Sequence, residues 1–315
     1  MYNKIVYYLD EIDRIKKGEI VYPVSVEIDP SNRCQCNCSF CLYKEYRKDY
    51  NCDLDYIEYS KILPVLRKHG VKSITFTGGG EPLMHPNFND MLELAIINGF
   101  EVGLITNGVF LHNIHDRLIP GLSFIRISLD SASHEVYYNV KGASKFNLVI
   151  HNIKEMCKKI HDLKCNTTLG ISFVVCDKNR QDIDNVRKVI GDYVSYIQFK
   201  PEISNIKEAI DIDPSKKIIV MDRFNPDSNL PCNIAGLIGI IGADGNWYYC
   251  CQGRGIDSFV CGSIYNDSFE QIMENRMNMI VDISKCQPCR YMNYAKAYED
   301  IISNNISFLT HKNFL

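Results

Sequence analysis

No stretch of this sequence is long and apolar enough to span a membrane. The smoothest run, Ile234–Ala243, carries Gly236, Gly239 and Gly242 and falls well short of the roughly 20 apolar residues a spanning helix needs. No secretory signal is expected either, because Asp10, Glu11 and Asp13 interrupt the short apolar start. Basic charge is not in excess: 35 Lys and Arg face 38 Asp and Glu, for a net charge of -3. That excludes a broad cationic surface, so neither a nucleic acid nor a membrane is expected as partner. The sequence has no internal repeat and no low-complexity tract. Together these absences predict a cytoplasmic protein. Cysteine is too sparse for a disulfide scaffold, at 14 among 315 residues. It is still abundant for a large cytosolic chain, where metal binding or catalysis is the better explanation.

The length predicts about two domains. From residue 24 to about 201, apolar runs alternate with helix-length amphipathic segments. Strands are expected at Val24–Ile28, Ser73–Thr77, Glu101–Thr106, Phe124–Leu129, Thr168–Val175 and Tyr196–Phe199. Helices are expected at Tyr56–His69, Asn87–Asn98, Leu111–Leu118, Phe146–His161 and Asp182–Ile190, with Gly70 and Gly99 as C-terminal caps. Six strands joined by helices predict an α/β fold with a parallel sheet and right-handed crossovers. Six units are too few for a closed eight-fold barrel, so a partial (β/α)6 barrel is expected, with ligands at the strand C-termini. Past Pro201 the pattern changes. Ser204–Pro231 is irregular, Ala243-Asp244-Gly245 signals a hairpin, and Ser268–Ile280 and Tyr291–Ser303 read as helices. The expected organisation is an extension over 1–23, a core over 24–201 and a small α+β unit over 202–315.

The chemistry concentrates after the first strand, where Cys34, Cys38 and Cys41 form C-x3-C-x2-C. Three thiolates in one short loop can wrap one face of a cubane iron–sulfur cluster, whereas a complete site needs four. An open iron is where a substrate can bind, by the logic of catalytic zinc sites. The rival is a zinc knuckle, which would want a fourth Cys or a His, and no His lies nearby. Cys36 is an extra thiol expected to point away. Cys52, Cys157, Cys165 and Cys176 are scattered and read as packing residues.

This spacing, in a loop after the first strand of a βα series, resembles the radical S-adenosylmethionine (SAM) enzymes. The resemblance implies that SAM chelates the open iron of a 4Fe–4S cluster. Reductive cleavage then yields a 5′-deoxyadenosyl radical that abstracts hydrogen from a substrate. Thr77-Gly-Gly-Gly-Glu-Pro82 resembles the family's GGEP turn, which places Gly79, Gly80 and Glu81 against the SAM ammonium. A Walker phosphate loop would need a Lys and a Ser or Thr that are absent here. The resemblance also puts Phe40 against adenine, and Asn107, Ser128 and Asp130 along the SAM pocket. Lys141 falls near where relatives carry an Arg for the SAM carboxylate; a solvated lysine is the alternative. Small polar residues at strand ends are also ordinary turn chemistry.

The second cysteine group is Cys232, Cys250, Cys286 and Cys289, laid out around the hairpin and ending in C-x2-C. Four thiolates can close a 4Fe–4S site. The layout resembles the twitch domain of radical SAM enzymes, a shortened SPASM domain, and implies one auxiliary cluster. Structural zinc on the same four residues is the alternative. Cys251 neighbours a proposed ligand and, by the same resemblance, is a candidate hydrogen-atom donor.

These readings converge on a radical SAM oxidoreductase acting on a small molecule or a peptide. The leading expectation is dehydrogenation with the auxiliary cluster as electron acceptor. A ribosomal-peptide maturase, epimerase or crosslinking type, using Cys251 is the alternative. The short segment before the first strand weakens it, being too short for a leader-peptide-binding domain. A non-catalytic Fe–S or zinc carrier or scaffold is the reading from a different class. The resemblance implies a flavodoxin or ferredoxin as electron donor.

Overall fold

A computed structural model describes residues 7–49, 51–202, 218–220, 232–281, 289, 294–296 and 298–299. Helix α1 (Leu9–Lys16) precedes strand β1 (Ser25–Ile28). The short helix α2 (Lys44–Asp49) then leads to α3 (Tyr56–Lys68) and β2 (Ser73–Phe76). Helix α4 (Phe88–Ile97) connects to β3 (Glu101–Thr106), which is followed by β4 (Leu122–Ser128). Helices α5 (His134–Lys141) and α6 (Phe146–Asp162) precede β5 (Thr168–Val175), and α7 (Ile183–Ile190) precedes β6 (Tyr196–Pro201). Strands β1 to β6 pair in sequence order and in parallel, which is the expected α/β arrangement.

Sequence chemistry accounts for the boundaries. Asp55 caps α3 by accepting from the amides of Ile57 and Glu58. Gly70 and Gly99 follow α3 and α4 with φ of +89° and +77°, a region glycine enters without strain. The third connection departs from expectation. Leu111–Leu118 is not an α-helix but two 3₁₀ turns, Leu111–Asn113 and Asp116–Gly121. Pro120 disfavours a continuing helix, and the Asn89 carboxamide takes the His115 amide at 3.0 Å. The pattern also missed α5, whose signals are its Ser133 cap and Gly142 in the left-handed region.

The C-terminal strands extend the same sheet. Strand β7 (Ile218–Val220) pairs parallel with β6. Strand β8 (Ile238–Ile241) pairs parallel with β1, while β9 (Asn246–Tyr248) and β10 (Val260–Ser263) continue antiparallel. Among the described residues the sheet runs β10-β9-β8-β1-β2-β3-β4-β5-β6-β7. The Ala243-Asp244-Gly245 hairpin forms as expected, with Gly245 at φ +77° and Asp244 accepting from the Asn246 amide. Helix α8 (Phe269–Asn278) follows, capped by Ser268. The second half of the expected Tyr291–Ser303 helix lies largely outside the described residues. The main core lines the sheet with Val26, Ile28, Ile74, Phe76, Leu104 and Ile125, all fully buried. No helix among the described residues is long and apolar enough to cross a membrane.

Candidate active site

The strand C-termini open onto one cavity of about 330 Å³. Its walls carry Cys34, Cys38 and Cys41 from the loop after β1, Gly78–Glu81 after β2, and Asn107 after β3. Ser128 and Asp130 at the end of β4 and Lys141 at the end of α5 complete the barrel side. Cys251, Arg254 and Cys289 face the cavity from the C-terminal segment.

The cysteine loop is held by the end of α5. The Asn37 amide donates to Lys141 O at 2.8 Å and the Ser39 amide to Val140 O at 2.8 Å. These are helix-end carbonyls that lack partners within the helix. Phe40 is half-buried, packs on Val136 and Val140, and lies under the Lys141 ammonium at 5.7 Å from the ring centroid. Cys36 does not point away. It is buried, lines the cavity, and its thiol donates a hydrogen bond to the Cys34 sulfur, both cysteines being free. That contact holds the Cys34 thiol down to about 6. Burial pushes Cys38 up to about 11.

The glycine turn packs against the same loop. A Cβ on Gly80 would sit 2.4 Å from Arg33 O, and one on Gly79 would sit 2.7 Å from Asn32 Oδ1. Gly80 is thus demanded by the backbone leading into Cys34. Glu81 is 1% exposed. Its carboxylate accepts from Thr106 Oγ1 at 2.6 Å, the Asn107 amide at 2.8 Å and the Leu83 amide at 3.2 Å. Burial nevertheless pushes it up to about 7. Asn107 Nδ2 lies 3.8 Å from Cys34 Sγ, and its Oδ1 accepts from Gln35, so it braces the cysteine loop. Lys141 is not a solvated lysine. It is 2% exposed and ion-paired with Asp130. Asp130 also accepts from the Val174 amide at 2.5 Å, so its carboxylate is engaged within the protein.

The sequence reading missed Asp29, Tyr43 and Arg254. Arg254 forks onto Asp29 at 2.7 and 3.0 Å and reaches Glu27 at 2.8 Å. Asp29 also accepts from the Gly79 amide at 3.1 Å. A carboxylate directly after a strand that enters the site was the only signal available.

The second cysteine group is only partly within the described residues, since Cys286 lies outside them. Cys232, Cys250 and Cys289 are half-buried. Cys232 and Cys250 both act on the Tyr249 hydroxyl and the Arg276 guanidinium, which places them in one neighbourhood. Cys261 is buried in the core and bonds to Phe259 O, as a packing thiol would. Cys157 and Cys165 pack against the main core, Cys176 is buried beside Val136 and Val140, and Cys52 is half-buried near Asn32.

Among the described residues no three His, Cys, Asp or Glu side chains converge closely enough for a single metal ion. A cubane needs no such convergence, since each thiolate binds a separate iron. Three thiols on a cavity wall, beside a turn that only glycine fits, match the donor set and the space of a cluster with SAM.

Comparison with known proteins agrees. The Radical SAM superfamily model matches residues 28–190. GTP 3′,8-cyclase from Chlorobaculum tepidum is 35% identical over 127 residues, covering 39% of this chain and 38% of that protein. A probable GTP 3′,8-cyclase from Methanocaldococcus jannaschii is 27% identical over 188 residues, covering 58% of this chain and 61% of the relative. The chain thus spans less than two thirds of either relative. Among solved structures, Streptococcus suis SuiB bound to precursor peptide SuiA superposes with a TM-score of 0.64 at 14% identity. That match covers 86% of this chain and 69% of SuiB, a likeness of fold.

Proposed function

Because this chain belongs to the radical SAM superfamily, we propose that Cys34, Cys38 and Cys41 hold a 4Fe–4S cluster whose open iron takes SAM, and that the enzyme abstracts a hydrogen atom from a substrate carbon. One observation carries this reading: the three thiols share a single cavity with Cys251 and Cys289 from the C-terminal segment. The bound cluster and SAM supply a one-electron reductant and an oxidant able to break a C–H bond.

The chain's own residues bind and orient. Glu81 offers a buried carboxylate toward the cavity, and the Gly78–Gly80 backbone leaves room for a ligand. Phe40 supplies a flat apolar face. The Lys141–Asp130 pair fixes the wall between them.

The reaction we favour is dehydrogenation. A substrate carbon that loses a hydrogen atom, then a proton and an electron, ends two electrons oxidised. The electron needs an acceptor nearby. We assign that role to an auxiliary 4Fe–4S cluster on Cys232, Cys250, Cys286 and Cys289. The cavity-facing position of Cys289 supports it. A second reading, a peptide maturase in which Cys251 returns a hydrogen atom to the substrate radical, is favoured by Cys251 standing on the wall. SuiB, solved bound to precursor peptide SuiA, makes a peptide a reasonable trial substrate, and the cyclase relatives make GTP another. A flavodoxin or ferredoxin is the donor to try first.

The test is iron and acid-labile sulfide per chain after anaerobic reconstitution. About eight of each, falling to about four in the Cys34→Ala/Cys38→Ala/Cys41→Ala variant, supports two clusters. About four in the wild type, with zinc beside it, rejects the auxiliary cluster and dehydrogenation through it. Solvent deuterium in the product, lost in Cys251→Ser, selects the maturase reading.

A further inference from the structure

Arg254 is 225 residues from Asp29, yet the two form a forked buried ion pair. Three segments meet on this one guanidinium, and a fourth is joined through Asp29. Nε and Nη2 bind Asp29 at the end of β1, and Nη2 also binds Glu27 within β1. Asp29 in turn holds the Gly79 amide of the glycine turn. Nη1 donates to Cys251 O at 3.1 Å and lies 3.4 Å from Tyr43 OH. The Tyr43 hydroxyl donates to the same Cys251 carbonyl at 3.0 Å. Tyr43 stands two residues after Cys41, so the cysteine loop is joined too.

The turn carrying these groups is itself tightly seated. Gly255 has φ +73°, and a Cβ there would meet the Tyr46 ring at 2.4 Å. A Cβ on Gly253 would meet Phe259 at 2.5 Å. The segment Cys250–Gly255 therefore cannot shift freely once Arg254 is docked. A planar five-donor fork suits this task better than a lysine, which offers one compact charge. Arg254 is 3% exposed at its side chain, so removing it leaves the buried Asp29 without its cation, whereas removing Asp29 leaves Arg254 with Glu27 alone.

We propose that Arg254 is a positioning residue that makes the SAM side and the substrate side of the cavity order together. Through Asp29 it fixes Gly79, and through Cys251 O it fixes the wall that bears the Cys251 thiol. Loosening one side loosens the other. The proposal rests on the radical SAM reading of the cavity, but the coupling itself is a property of the chain.

The test compares full-length wild type with Arg254→Met, Asp29→Asn and the double variant. Hydrogen exchange is read at the amides of Gly78–Gly80 and of Cys251–Arg254, and SAM affinity is measured anaerobically on reconstituted protein. Arg254→Met is expected to raise exchange at Gly78–Gly80, and Asp29→Asn to raise it at Cys251–Arg254. Each should weaken SAM binding about tenfold, the low end for residues that support a site from behind. The double variant should be no worse than the worse single, and Arg254→Lys should recover part of the loss. Tyr43→Phe removes one hydroxyl and keeps the ion pair, so it reports on the Cys251–Arg254 segment even if Arg254→Met does not fold. Exchange raised only in each variant's own segment, or additive losses in SAM affinity, would overturn the proposal. A wild type that fails to bind SAM would instead reject the proposed function, while the exchange data still decide the coupling.

Discussion

Asp130 and Asp29 each stand just past a strand end, each buried, each in direct contact with a buried cation that lines the cavity. They differ in reach. Lys141 is 11 residues from Asp130, and its helix end braces the cysteine loop from behind. Arg254 comes from the far end of the chain and also answers to Glu27. The near pair is a local brace that forms with its own βα unit. The far pair is a clamp that exists only when the C-terminal segment has docked on β1. Local braces set the shape of a wall, whereas long-range clamps make two walls depend on each other.

Substitutions can break or sharpen that contrast. The largest effect is expected from Asp130→Ala, which strands Lys141 without its carboxylate and should cost roughly 3–5 kcal/mol in urea unfolding. Asp29→Ala should cost less, about 2 kcal/mol, because Glu27 still faces Arg254. A larger loss for Asp29→Ala would mean that the clamp, not the brace, dominates folding.

The glycine turn between the two pairs gives a pH signature. Glu81 is held protonated up to about 7 in the fold against roughly 4.3 in the unfolded chain. The folded state thus binds more protons in that window. Stability should be full below about pH 4.5, fall as pH rises, and level off above about 7. The total change is at most about 4 kcal/mol for the cluster-free chain. Glu81→Gln should flatten that slope, and an unchanged slope would place the titration elsewhere. The smallest effect is expected at Gly142, at φ +63° against Asn37 O. Gly142→Ala should cost about 1–2 kcal/mol and should lower reconstituted iron content, because it pushes on the cysteine loop rather than on the clamp.

The same contrast explains what the sequence revealed. Strands β3 and β5 match their expected bounds, because apolar runs closed by Gly, Asn, Asp or Pro are local signals. Cys34, Cys38, Cys41, Gly79 and Glu81 were legible for the same reason, since each lies within one short motif. Lys141 was ambiguous because it is buried in an ion pair with Asp130, 11 residues earlier on another element, which no local pattern announces. Arg254 and Asp29 were illegible because their meaning lies in a pairing across the whole chain. Cys36 was misplaced because a loop has no fixed period, so alternation along the chain does not say which thiol faces inward.

The parallel pairing of β8 with β1 has a consequence for biosynthesis. Strand β1 is made early, yet its outer neighbour leaves the ribosome roughly 210 residues later, about 10–40 s at ordinary translation speeds. During that interval one flank of β1 is uncovered and the Cys34–Cys41 loop lacks its lid from Cys251 and Arg254. Nascent chains at this stage offer an assembly machinery open access to the three thiols. After Arg254 locks onto Asp29, the same thiols share a cavity wall with Cys251 and Arg254. If these thiols take iron as proposed, a chain that closes first should be the harder one to load.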